Sequence, residues 1–244
     1  MKLLGLTIVF SVLSLYSSGQ IDLNDVADKQ KKEKVKKEAS LKSTAIYLGA
    51  NWSYCFRSLE VNEGLFGEPL GDRENEKYLS TFSYSIGLQN QINNFLFWDG
   101  GISLAVNGEQ LTTTMNDTTT NRKTQYRYLM MPLRINAFYE NKVRISGGLG
   151  VAPQLFLNSK EFVEITNNTT ENSSTSESKN KNGFNAFAVS AIFNAGLSVP
   201  LSKSFSFWLS PEVRIQLNSS YAKTQPYIHK GRAFGLNFGF LMKL

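Results

Sequence analysis

Five charged residues, Asp99, Arg134, Arg144, Glu212 and Arg214, lie in stretches where apolar and polar side chains alternate, and each falls on the polar side of its stretch. Carboxylates and guanidiniums gathered on one enclosed face can either close on each other as a salt-bridged plug or relay protons or ions along a gated path. An unpaired buried charge is very costly, so the five are expected to pair as an internal charge network. A second candidate is His229, the one histidine of the chain, in "TQPYIHKGR" with Ser219 and Ser220 on the same connection. Histidine beside serine is the minimum for hydrolysis or acyl transfer. A lone histidine in a polar connection is expected to face solvent, so no catalytic residue is assigned. Metal-ligand spacing is missing: Cys55 and His229 are single and far apart, and the acidic residues follow no calcium-loop pattern. The run "SGGLG" at 146–150 lies inside an alternating stretch and not before a helix, so no phosphate loop and no cofactor site is expected.

What positions these charges is a run of alternating segments. The 41% hydrophobic content resembles that of a soluble protein, but a membrane-spanning strand is apolar on one side only and averages to neutral. Period-two alternation begins at Thr44 and marks strands at 44–57, 78–90, 95–107, 123–139, 142–157, 184–199, 205–217 and 232–244. In the seventh, "FSFWLSPEVRIQL", Phe205, Phe207, Leu209, Val213 and Ile215 share one side, and Trp208, Glu212 and Arg214 share the other. The connections alternate in length: 58–77, 108–122, 158–183 and 219–231 are long and polar, whereas 91–94, 140–141 and 200–203 are tight. Outer-membrane barrels have this asymmetry, with short periplasmic turns and long surface loops. Segment length agrees, because about 9 to 11 tilted residues cross a bilayer. The fold expected is all-β, an eight-stranded antiparallel up-and-down transmembrane β-barrel over 44–244. Glycines at 49, 87, 101, 148, 150 and 196 are read as aids to tight curvature. A soluble lipocalin-like barrel is the architectural alternative, with Phe205 and Phe207 inside and Glu212 outside.

The first 19 residues, "MKLLGLTIVFSVLSLYSSG", have one lysine, an apolar run and small residues at the end, the pattern of a cleaved export signal. Residues 20–43 carry most of a lysine cluster, contain no Pro or Gly and lack apolar periodicity, so they read as a solvated periplasmic lead-in. That lead-in offers contact to a periplasmic or envelope protein partner. The net charge of +6 is partly local to it, and without interleaved aromatics it gives no nucleic-acid reading. The only cysteine, Cys55, excludes an internal disulfide.

At "YRYLMMPLRINAFYENKVRISGGLGVAPQLFLNSK", residues 126–160, the chain resembles the PorT-like outer-membrane β-barrel family of the Bacteroidota. The likeness rests on Tyr128, Leu129, Pro132 and Leu133, then a tight turn and a glycine-rich strand, and "FGLNFGFLMKL" resembles the closing strand. Met131 stands where Ile is usual, and Met130 where an acidic residue is frequent. The resemblance implies a barrel in the cell outer membrane, surrounded by outer-membrane lipid, and an accessory role in type IX protein secretion as one reading. It transfers no catalytic residue. The leading expectation is a non-enzymatic, monomeric barrel with a structural, adhesion or accessory role, displaying its connections at the surface. A lipid-modifying enzyme using His229 is the further alternative.

Overall fold

The computed structural model describes residues 43–62 and 75–244. The expected export signal, 1–19, lies outside the described residues, as does the lysine-rich segment 20–43 apart from Ser43. The strands are β1 (Thr44–Val61), β2 (Glu76–Lys77), β3 (Leu79–Gln91), β4 (Leu96–Met115), β5 (Thr118–Met130), β6 (Leu133–Glu140), β7 (Arg144–Asn167), β8 (Ser173–Asn180), β9 (Phe187–Pro200), β10 (Phe205–Gln216) and β11 (Tyr227–Lys243). All pairings are antiparallel. The ring runs β1, β3, β4, then β5 with β6, then β7, β9, β10 and β11. It closes because β11 returns to β1 in unbroken register from Ala45 opposite Lys243 to Val61 opposite Tyr227. Since β5 and β6 are two halves of one stave, the wall is an eight-stranded up-and-down barrel with no edge in its ring.

The expected single strand 123–139 is therefore divided, and the cause is Pro132. Proline has no N–H to give to the ladder. The neighbours mend the gap: the Met131 N–H donates to Pro153 O at 2.9 Å, and the Gly101 N–H to Pro132 O at 3.2 Å. Pro211 in β10 raises the same problem, and there the Ser210 hydroxyl supplies a donor to Ala195 O at 2.7 Å.

Which way the strands face decides the environment. Phe205 is 47% exposed and Glu212 is 5% exposed, the reverse of what a lipocalin-like barrel needs. Around the outside, Leu48, Ile86, Leu104, Ile135, Leu149, Phe193 and Phe234 are all exposed, a continuous apolar belt that water would not tolerate. From Phe205 to Leu217, at about 3.3 Å per residue and a tilt of about 40°, the apolar side of β10 climbs roughly 30 Å, the thickness of a bilayer core. At the end carrying the long connections, Trp52 stacks with Phe82 at 6.4 Å and lies 5.4 Å from Tyr54, while Trp98, Tyr139 and Phe205 are exposed at the other end. These are the two interfacial girdles of a transmembrane barrel.

Two of the expected long loops are sheet. Strands β4 and β5 continue past the wall to a tight turn at Asn116 and Asp117, with Met115 opposite Thr118 and Asn116 at φ 52°. Strand β7 continues to Asn167 and folds back as β8, whose residues are all exposed. Segments 108–122 and 158–183 read as loops because, above the membrane, neither face needs a lipid-facing hydrophobe, so the apolar alternation stops while pairing goes on. The threonine run 112–114 and 118–120 was the remaining strand signal, through β-branched propensity.

Three of the inner glycines also make room for aromatic rings, which lie over Gly49, Gly87 and Gly101. Gly87 and Gly101 are cross-strand partners, and the phenol ring of Tyr47 covers both, so that a Cβ on either would stand 2.5 Å from it. A Cβ on Gly49 would stand 2.8 Å from Cζ2 of Trp208, which points inward and meets Tyr47 edge to face at 6.1 Å. We expect Gly49→Val to lower stability by about 1–3 kcal/mol, the usual overpacking cost. Adding Trp208→Ala should recover part of that loss, as read from urea unfolding in micelles; a purely additive double variant would refute the packing explanation.

Candidate functional site

The lumen is filled in two layers. In the lower one, Asp99 of β4 and Arg134 of β6 are cross-strand partners on the inner face, and Glu212 of β10 comes from the opposite wall. Arg134 Nε donates to Asp99 Oδ1 at 2.7 Å and Nη1 to Glu212 Oε2 at 3.0 Å. Arg214 Nη1 stands 3.9 Å from Glu212 Oε1, and its Nη2 donates to Asn107 Oδ1 at 3.3 Å. Two cations thus face two anions. Amides occupy the remaining lone pairs: Asn136 Nδ2 donates to Asp99 Oδ2 at 2.7 Å, and Asn237 Nδ2 to Glu212 Oε2 at 3.0 Å. Asn194 and Asn51 extend the chain outward at 2.8 and 2.9 Å.

Of the five charges singled out in the sequence, these four come together and Arg144 does not. It opens β7 at a tight turn, pairs with Glu140 across that turn, and lies over the Phe138 ring at 4.5 Å. Its place is at the short-turn mouth, where Glu140 is largely exposed.

The upper layer is aromatic and apolar. Tyr126, Tyr128, Met130, Ala105 and Ile192 are almost fully buried and are joined by Phe156 and Phe184. His229 belongs to this layer, which corrects the expectation of an exposed loop histidine: it is 1% exposed, sits on β11, and is packed between Tyr126 and Tyr221 at 4.9 and 4.8 Å. The physical reason is parity, since β11 begins at Tyr227 and positions 229, 231 and 233 all turn inward. The imidazole does not pair with either serine, as the enzyme alternative would require. Ser219 Oγ accepts from the His229 backbone N–H at 3.2 Å, Ser220 Oγ is 3.0 Å from the Tyr128 hydroxyl, and the imidazole Nε2 lies 3.1 Å from Glu109 Oε2.

Glu109 is the hub of a second charged group that reading the sequence did not single out. It also accepts from Tyr126 Oη at 3.0 Å and from Arg57 Nη1 at 2.9 Å, and Arg57 binds Glu76 at 2.8 Å. Glu76 and Glu109 were hidden in segments read as loops. Parity would have found Glu109, two residues beyond the inward Asn107.

Above this plug opens a cup of about 260 Å³ lined by Arg57, Glu109, Arg122, Glu161, Phe184 and Tyr221 among others. Its outer ion pair is Arg122 with Glu161 at 3.0 Å. Burial, then the charge of Glu109, pushes the Tyr221 hydroxyl above its ordinary pKa, so Tyr221 stays a neutral hydroxyl at the cup floor. Among the described residues, no three His, Cys, Asp or Glu side chains are grouped to hold a metal ion.

A closed eight-stranded ring with an apolar belt, two aromatic girdles and a filled polar lumen defines the class of transmembrane β-barrels. The chain matches no family model and no curated protein. Among solved structures it is similar to the outer membrane protein OprG from Pseudomonas aeruginosa, at 11% identity over 83% of this chain and 96% of that one, with a TM-score of 0.41. It is similar also to Ail, the attachment invasion locus protein of Yersinia pestis, solved with the heparin analogue sucrose octasulfate, at 12% identity, 82% and 99% coverage and a TM-score of 0.34. Neisserial surface protein A follows at 9% identity, 80% and 95% coverage and a TM-score of 0.34.

Breaking a buried pair strands its partner charge, so Arg134→Met should cost about 3–5 kcal/mol, whereas Arg144→Ala at the mouth should cost only about 1 kcal/mol. Urea unfolding in micelles measures both. Equal losses would mean that the four-charge group is not the internal fastening.

Proposed function

We propose that this chain is a non-enzymatic barrel of the cell outer membrane that holds a stiff β-sheet outside the cell for an adhesive or structural role. The observation that carries this reading is the continuation of β4, β5 and β7, joined by β8, as one sheet beyond the apolar belt. The end with long connections is the outer end in such barrels. Binding residues are often displayed on surface segments positioned by a rigid scaffold. The charged layer and the aromatic layer together fill the lumen, which favours anchoring over transport.

A second reading, an accessory role in protein secretion acting through residues 20–43, is supported by the resemblance at Tyr128, Leu129, Pro132 and Leu133. Loss of secretion on deleting 20–43, with the barrel still inserted, would favour it over adhesion.

Thr175 of β8 is exposed, whereas Cys55, the chain's only thiol, is buried against Thr81. In intact cells, Thr175→Cys should therefore react with a membrane-impermeant thiol reagent while the unaltered chain does not. The protein should fractionate with the outer membrane, migrate differently on gels with and without heating, and give no steady conductance in planar bilayers. An unlabelled Thr175→Cys in intact cells, or recovery in the soluble fraction, would sink the proposal.

A further inference from the structure

We propose that the cup above the aromatic plug is a binding site for an uncharged sugar ring. The inference rests on the surface placement argued above and names the ligand class of that surface.

The cup lies at the outer end of the lumen. Its floor is closed by Tyr126, which is 2% exposed, and Tyr128 lies sealed beneath it, so a molecule that enters cannot pass through. Phe184 and Tyr221 are half-buried at the floor and meet edge to face at 5.5 Å, presenting aromatic surface to the space above. The wall is built by register. Glu109 of β4, Thr124 of β5, Glu161 of β7 and Ser178 of β8 are successive cross-strand partners, so one row of four strands carries them on the same face. Sites held on strands are better fixed than sites on free loops.

Chemistry narrows the ligand. The two ion pairs, Arg57 with Glu109 at 2.9 Å and Arg122 with Glu161 at 3.0 Å, place fixed donors beside fixed acceptors. Arg57 has a second carboxylate in Glu76, so among the described residues of the cup each guanidinium already has a carboxylate partner, which disfavours a sulfate or phosphate. A ligand that suits such walls carries groups that both donate and accept, and one that suits the floor has an apolar face. A pyranose ring has both, with hydroxyls around its edge and C–H bonds on its face. The space, about 260 Å³, lies just below the roughly 300–1,000 Å³ of ligand pockets in general, which fits one or two rings. Entry is from the rim, where the Arg122 side chain is 54% exposed, towards the Arg57 side chain at 16%.

The test presents the full chain, purified in micelles, to an array of neutral and sulfated oligosaccharides. Neutral hexose oligosaccharides should bind, and Tyr221→Ala should weaken them by about tenfold or more through loss of the stacking surface. Because Tyr221 also supports the plug, Ser178→Trp serves as a second variant. It fills the cup from an exposed strand, should abolish binding, and should leave heat-modifiable migration as in the unaltered chain. Displacement by free cellobiose or by polysaccharide from the same cells tells a foreign glycan from the cell's own. Binding only of sulfated glycans, binding of none, or full binding by Ser178→Trp overturns the proposal. Labelling of Thr175→Cys in intact cells reads surface placement separately, so a labelled protein that binds no glycan overturns the cup alone.

Discussion

Arg134 stands inside the lumen, held by Asp99 at 2.7 Å and Glu212 at 3.0 Å, and the rest of the interior is arranged around those contacts. An eight-stranded ring leaves room for side chains but for little water, so a charge in it must find its counter-charge in the wall. Asp99 comes from the strand beside Arg134 and Glu212 from across the barrel, and the one guanidinium therefore ties opposite walls together. The same contacts specify register. A slip of one residue would turn every inward group outward, placing Arg134 in lipid and Ile135 in the charged lumen. Apolar pairs would tolerate that slip far better, since lipid and an apolar core are alike to them. The charged layer thus excludes misregistered barrels as well as filling space.

Filling that space with large side chains needs bare backbone opposite them. Tyr47 lies across Gly87 and Gly101, and Trp208 across Gly49, so aromatic rings rest on backbone one or two strands away where a methyl group would collide. Bulky and missing side chains are partners in one packing scheme, and the glycines cannot be explained strand by strand. The aromatic layer closer to the surface works differently, with ring against ring from Phe156 through Phe184 to Tyr221. One layer seals by charge pairing and the other by apolar contact.

The barrel wall was legible in the sequence because lipid imposes a rule that survives in a single chain: alternate residues must be apolar. The inward placement of Glu212, Arg214 and Trp208 follows from counting by two. That rule lapses above the membrane, where neither face of a strand meets lipid. The sheet around Asn116 and Asp117 looked like loop because polar residues occupy both of its faces. His229 looked exposed for the same reason, although its parity with the inward Ala233 and Gly235 was available. Arg144 shows the complementary limit: parity puts it inside, but not at which height, and its neighbour across the turn took it first. Partners across a lumen depend on strand tilt and stagger, which no one strand contains.

The two environments meet at Asn107 and Tyr126, where the wall passes out of the apolar belt. Below them, inward residues face a crowded lumen; above them, the same side of β4 and β5 continues upward and lines the cup. A bulge at Leu157 keeps this alignment, since β7 gains a residue where Arg127 pairs with Asn158 and Tyr128 with Phe156, returning Ser159 and Glu161 to the inner side. Without that extra residue Glu161 would point away from Arg122. The open space above the plug is thus lined by the inner side of the wall carried on past the plug. Its polar lining is inherited from the same alternation that keeps charges out of lipid.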